Sequence, residues 1–358
     1  MRLIFLLVFA AALSAAPSRA ADLDAHFPPD TSDVFLRSMI SSAASTAFSN
    51  EDFAAIDSTA KKYLRQHAKT PAGVWKLGLI YDGFSIDSTT DEYLYTRDEK
   101  LSEKWIKKFP ASPVARIVYA NQLIAHAYFF RGNGLAGSVP ASSWPKFRSY
   151  IDRARDVLQG CKSICSVDPN WYVAMLSVAN LQDWDKKNFA NLFNEASRNF
   201  PNYQKIYFVG ANYYSPLWHG STDALDEFVQ DAVGKTRESE GTTFYARIYG
   251  YILHSSGFAC ECSRIAWPRM FNALNEINER YPDAWNVNEF AWEACMAGDK
   301  IAFRDQIKKV TGGPPYFEIW GSQDILNVCK TWAADKFTPP GVSPFARIKP
   351  SKKETTTL

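Results

Sequence analysis

Residues 200–233 constrain the fold more than any other stretch, because they hold a complete helix-turn-helix unit with both of its boundaries marked. Tyr203, Ile206, Tyr207, Gly210 and Tyr214 recur three and four positions apart, which puts them on one face of a helix. Pro201 stands where a first-turn proline sacrifices no hydrogen bond. Pro216 ends the helix, since it has no amide hydrogen and turns the residue before it away from helical geometry. After the loop Leu217, Trp218, His219, Gly220, either Ser221 or Thr222 can accept a bond from the free amides of a second helix, with Asp223 and Asp226 near its positive end. Leu225, Phe228, Val229 and Ala232 form the second apolar stripe. Two such helices cannot bury both stripes alone, so neighbouring pairs must stack on them.

The same pattern runs along most of the chain. Helical spacing predicts helices over 33–48, 51–66 (with Asn50 as cap), 72–84, 92–109, 114–131 and 144–158. It continues over 170–184, 187–200, 203–214, 222–235, 242–255, 267–281, 284–296, 301–310 and 316–334. Phe109-Pro110, Phe200-Pro201 and Tyr281-Pro282 repeat one kind of joint, an aromatic ending one helix and a proline starting the next. Ala179-Asn180 and Ala211-Asn212 match at a spacing near the period of about 34 residues of tetratricopeptide arrays. No two-residue alternation lasts long enough for a strand. The expected fold is all-α, an α-solenoid of tetratricopeptide-like stacked helical hairpins over 22–336. The Gly-, Pro- and Ser-rich stretch 132–143 is a candidate lobe break, and 337–358, with four prolines and a Lys/Thr-rich end, reads as a disordered tail.

Residues 1–21 read as a secretory signal peptide: Arg2, an apolar run from Leu3 to Leu13, then small residues to Ala20 or Ala21. That run is too short to span a bilayer, so no transmembrane segment is expected after cleavage. Losing Arg2 and Arg19 leaves 38 basic against 38 acidic residues. A neutral mature chain lacks the concentrated basic surface that nucleic acid binding needs. The expected compartment is the periplasm or the extracellular medium. There, six cysteines favour disulfides, preferably Cys161–Cys165, Cys260–Cys262 and Cys295–Cys329, the last pair spanning one hairpin repeat. Zinc is the competing use, but four ligands at finger spacing are absent, so no metal and no cofactor is expected.

Candidate sites lie on loops and on one helix face. Trp218 and His219 share the inter-helix loop, where a ligand would meet a ring face and a titratable group; the competing reading is that Trp218 fills the gap between its two helices. Arg247, Tyr251 and His254, at i, i+4 and i+7, share one face. In a solenoid the first helix of each pair lines the concave side, which would bring that face into one groove with Asn180, Asn212 and Asn288. Such a row can grip a peptide backbone or a carboxylate, or its members can satisfy one another between helices. Glu289 and Glu293, one turn apart beside Trp285 and Trp292, would suit glycoside cleavage if held about 5 to 9.5 Å apart, or simply form a solvated face. The five histidines form no two-histidine zinc motif and neighbour no Gly-x-Ser-x-Gly turn.

Three segments, Gly73-Val74-Trp75-Lys76-Leu77 with Tyr81, Pro216 to Ser221, and Phe244 to Tyr249, resemble in that order an uncharacterised bacterial family of exported proteins with tetratricopeptide-like helices. The resemblance implies a fold and no catalytic residue. Taken together, these features point to an exported, non-catalytic scaffold that holds a peptide or protein partner on its concave face. The alternatives are a carbohydrate-active or glycan-binding helical protein of the envelope, and a purely structural envelope component.

Overall fold

The structure is a computed structural model that describes residues 22–29, 31–86, 91–132, 134, 136–256, 264–310, 316–339 and 341–345. The signal-peptide segment, Cys260, Cys262 and the last part of the tail lie outside the described residues. Among the described residues the chain is all-α. The first half comprises α1 (Asp33–Ser49), α2 (Phe53–Gln66), α3 (Lys76–Asp82), α4 (Glu92–Lys108), α5 (Pro113–Arg131), α6 (Trp144–Gly160) and the single turn α7 (Lys162–Cys165). The second half adds α8 (Pro169–Leu181), α9 (Lys186–Asn199), α10 (Gln204–Tyr214), α11 (Thr222–Glu240), α12 (Thr243–Ser256) and α13 (Trp267–Arg280). It ends with α14 (Ala284–Ala297), α15 (Lys300–Ile307), α16 (Phe317–Trp320) and α17 (Gln323–Ala334).

Side-chain caps fix most starts. Asp52, Ser112, Asp168, Asp185, Ser221, Asp283 and Asp299 each accept from an amide of the first turn that has no partner within the helix. Of the two candidates before α11, Ser221 is the cap. Asn50 ends α1 instead of opening α2, because Asp52 holds the Ala55 amide. The aromatic–proline joints recur in geometry as well as in sequence: Phe109, Phe200 and Tyr281 close α4, α9 and α13 at φ/ψ of −128/73, −137/66 and −136/71. At these joints the prolines sit between helices, not in the first turn of the next one. Residues 316–334 form two helices, parted at Gly321, whose φ of +69 suits glycine.

Consecutive helices pack as pairs, α8 with α9, α10 with α11 and α12 with α13. The first members also meet: α8 lies on α10 and α10 on α12, and α12 reaches α14 where His254 stacks on Trp292. This inner row carries buried Trp171, Tyr203, Tyr207, Phe244, Tyr245 and Tyr249. Each such ring contributes about 1.5–3 kcal/mol on leaving water, which is why hairpins with ordinary helix propensity stack. Buried Trp171 donates its indole hydrogen to the Leu158 carbonyl at 2.9 Å, so its burial leaves no polar atom unpaired. The N-terminal unit α1–α3 lies against this row: α1 touches α14, and Tyr81 of α3 donates to Asp168, the cap of α8, at 2.7 Å.

Cys295 and Cys329 join α14 to α17, and Cys161 joins Cys165 across α7, with Cα separations of 5.9 and 5.5 Å, within disulfide range. The segment expected to be a tail from Phe337 is, where described, tied back. Trp332 donates to the Val342 carbonyl at 2.9 Å, and the Gly341 amide to the Gly298 carbonyl at 3.1 Å. No helix among the described residues is long and apolar enough to cross a membrane.

Candidate functional site

Residues 69–75 form a tight loop, the strap, between α2 and α3, folded back on itself by an antiparallel bridge between Lys69 and Trp75, where the helical spacing of 72–84 predicts helix throughout. Pro71 and Gly73, the latter at φ +83, break that helix before it starts. The strap lies across the inner row and is held by its side chains. Arg247 of α12 and Asn286 of α14 donate to the Ala72 carbonyl at 3.0 and 3.2 Å, and Gln204 of α10 donates to the Gly73 carbonyl at 2.9 Å. From the other side, buried Asp33 of α1 accepts from the Ala72 amide at 2.9 Å and pairs with Arg37, whose guanidinium lies 3.9 Å over the Trp285 ring of α14. Lys69 reaches Glu240 at 2.6 Å and the Tyr281 hydroxyl at 2.8 Å, and Trp75 donates to the Asn202 carbonyl at 2.9 Å. Arg247 is thus spent on the chain's own backbone, and burial holds its guanidinium below its usual range.

Beside the strap the inner row opens into a cavity of about 360 Å³. Phe208 and Tyr251 form one wall, stacked with ring centroids 4.6 Å apart, and Asn212 fixes Tyr251 by donating to its hydroxyl at 2.7 Å. Lys205, paired with Asp82, and Glu289, which accepts from His254 at 2.8 Å, bring opposite charges into one small space. Burial works against a charged His254 imidazole, but the Glu289 carboxylate more than offsets it and lifts the ring above its ordinary 6.5.

Glu293 lies one turn on from Glu289, behind the cavity wall, 3% exposed, and its Oε1 has no partner among the described residues. Both carboxylates face Gly250, where a Cβ would stand 3.3 Å from Glu289 Oε1 and 3.5 Å from Glu293 Oε1. Burial, and then the Glu289 charge, push the Glu293 carboxyl well above its usual range. The folded chain therefore binds this proton more tightly than the unfolded chain does. That contribution to stability is complete below the ordinary value of 4.5 and is lost as pH rises through the raised value. Glu293→Gln keeps the shape without the charge. It is expected to flatten this decline and to stabilise the fold by at least about 1 kcal/mol near pH 8 relative to its effect near pH 5, read from urea midpoints. Equal shifts at both pH values would contradict the assignment.

Trp218 and His219 belong to a separate cleft of about 540 Å³ between the end of α5, the start of α6, the end of α8 and the α10–α11 loop. The loop is rigidly placed: the His219 and Gly220 amides donate to the Tyr213 and Ser215 carbonyls, and a Cβ on Gly220 would run into the Tyr214 backbone. It is His219 that fills the gap between the helices, donating from Nε2 to the Asn180 carbonyl at 3.0 Å and packing 4.7 Å from the Tyr213 ring. Trp218 stays 38% exposed and faces the cleft with Tyr128, Trp144 and Phe147.

The residues expected to share one groove therefore divide. Arg247, Tyr251 and His254 line the inner-row cavity, with Asn212 bonded to it, while Asn180 lies in the aromatic cleft beside the loop residues Trp218 and His219. Asn288 is committed inside the fold, 1% exposed, accepting from Trp320 at 2.9 Å and donating to the Ala284 carbonyl at 2.8 Å. The strap clamp of Gln204 and Asn286 escaped the sequence reading; its one available signal was Gly73 following Pro71 inside an apparently helical run. No group of three or more potential metal ligands occurs among the described residues. Compared with protein-family models, curated proteins and solved structures, the chain matches none.

Proposed function

We propose that the protein is an exported, non-catalytic scaffold whose hairpins form a tetratricopeptide-like solenoid and whose inner row holds a polypeptide partner. The strap is the observation that carries this reading. Polar side chains from three successive first helices, Gln204, Arg247 and Asn286, already grip two consecutive main-chain carbonyls at the tip of the strap. Donors from successive hairpins that converge on main-chain carbonyls are how a row of helices can hold a chain without reading its side chains. The cavity continues the row past the strap. There Glu289 and Glu318 suit a peptide amine, Lys205 a carboxylate, and Phe208, Tyr251 and Trp285 an apolar side chain. The leader-like residues 1–21, the joined cysteine pairs and the lack of a membrane-crossing helix among the described residues support the periplasm or the extracellular medium. The resemblance to an exported family with tetratricopeptide-like helices fits the same reading.

Selection of the purified mature protein against a random peptide display library tests it. Peptides are expected to enrich, and Phe208→Ala and Tyr251→Ala to weaken each of them about ten-fold or more. A library that enriches nothing, or peptides indifferent to both substitutions, would remove the reading.

A further inference from the structure

We infer that the aromatic cleft is a second binding site, separate from the inner row, and that its ligand is an uncharged saccharide. Its walls combine two things that a pyranose presents together: flat C–H faces and hydroxyls at the rim. Trp218 supplies one ring, held in place by a loop whose amides are bonded back to α10 and its C-terminal cap. Trp144 and Phe147, 5.7 Å apart edge to face, supply the opposite apolar wall with Tyr128. Aromatic surface placed this way gains from stacking, and Trp144 and Phe147, already packed on one another, cost little entropy to order.

The polar groups decide between ligand classes. Arg131 lies 5.6 Å from the Tyr128 and Trp144 centroids and donates to the Gly132 and Gly134 carbonyls at 3.0 and 3.1 Å. A cationic ligand would meet this guanidinium on the same ring faces, so the cleft does not suit an ammonium group. Asp183 sets a carboxylate on the same rim, which disfavours an anion. A purely apolar ligand would strip water from Arg131, Asp183 and Asn180 without replacing it. Asn180 is the most telling member: it is 5% exposed and lines the cleft, and its Oδ1 has no hydrogen-bond partner among the described residues. A buried acceptor left open costs about 1–3 kcal/mol, which a ligand hydroxyl recovers once the Asn180 side chain turns into the cleft.

The test uses the full mature protein and a panel of soluble tetraoses, namely cello-, malto-, xylo- and chitotetraose, followed by tryptophan fluorescence and calorimetry. At least one is expected to bind. Trp218→Ala, at a half-exposed ring, and Asp183→Asn, which keeps a side chain that tolerates the left-handed φ of 55, are each expected to weaken it about ten-fold. Tyr251→Ala in the other cavity should leave it unchanged. No binding up to about 10 mM of any member, binding unaffected by both cleft substitutions, or preferential uptake of tetramethylammonium would overturn the assignment.

Discussion

Gly73→Ala is expected to be among the most damaging single substitutions in the chain, costing about 2–6 kcal/mol, although it adds one methyl group. At φ +83 the new Cβ would stand 2.7 Å from Cδ2 of Tyr281 and 2.8 Å from Nη2 of Arg247. Neither neighbour can yield cheaply. The Tyr281 hydroxyl is held by Lys69 and by Glu240, and Arg247 by the Ala72 carbonyl. Gly132→Ala isolates the packing part of the cost: it too has positive φ, +73, but no atom lies within 4 Å of its added carbon. It should lose only the backbone term, about 1–3 kcal/mol. Urea unfolding with an unchanged slope measures both. Equal losses at the two glycines would show that the strap is not seated against Tyr281 and Arg247.

The second large effect concerns the link between α14 and α17. Replacing Cys295 and Cys329 by alanine opens a loop of 34 residues, for which chain entropy gives about 4 kcal/mol. Both cysteines are fully buried, so the lost sulfurs add a smaller packing penalty. Opening the Cys161–Cys165 link, which spans four residues, should cost only about 2 kcal/mol by the same reasoning. Thermal unfolding of the two double variants should rank them in that order. A Cys295→Ala/Cys329→Ala protein that melts with the parent would contradict the link.

Local chemistry made most of the helices legible. Periodicity placed α4, α5, α10 and α12 within a residue or two of their ends, because the apolar stripes are clear there and, at α4 and α5, a side-chain cap and a proline agree with them. It failed where they conflict. Residues 72–75 carry helix-like spacing, yet Gly73 at positive φ and long-range bonds to Arg247 and Asn286 override it. Those bonds span more than 170 positions of the chain, and no local pattern encodes them. The site was legible in part for the same reason. Spacing alone put Arg247, Tyr251 and His254 on one face, but it could not reveal that the N-terminal unit comes to lie on that face. Nor could it bring Trp144 opposite Trp218, which requires α6 to fold back beside the end of α8.

The central claim is that the inner row holds main chain by its carbonyls, with the loop 69–75 as the segment already bound. Hydrogen exchange of the strap amides tests it most directly. Thr70 donates to the Val74 carbonyl at 2.7 Å, Gly73 to the Thr70 carbonyl at 2.9 Å, Ala72 to Asp33 and Val74 to the Thr70 hydroxyl. These four amides should exchange as slowly as those in the middle of α10 and α12, opening only with global unfolding. Exchange within seconds at the strap, while α10 and α12 stay protected, would mean that Gln204, Arg247 and Asn286 do not grip it.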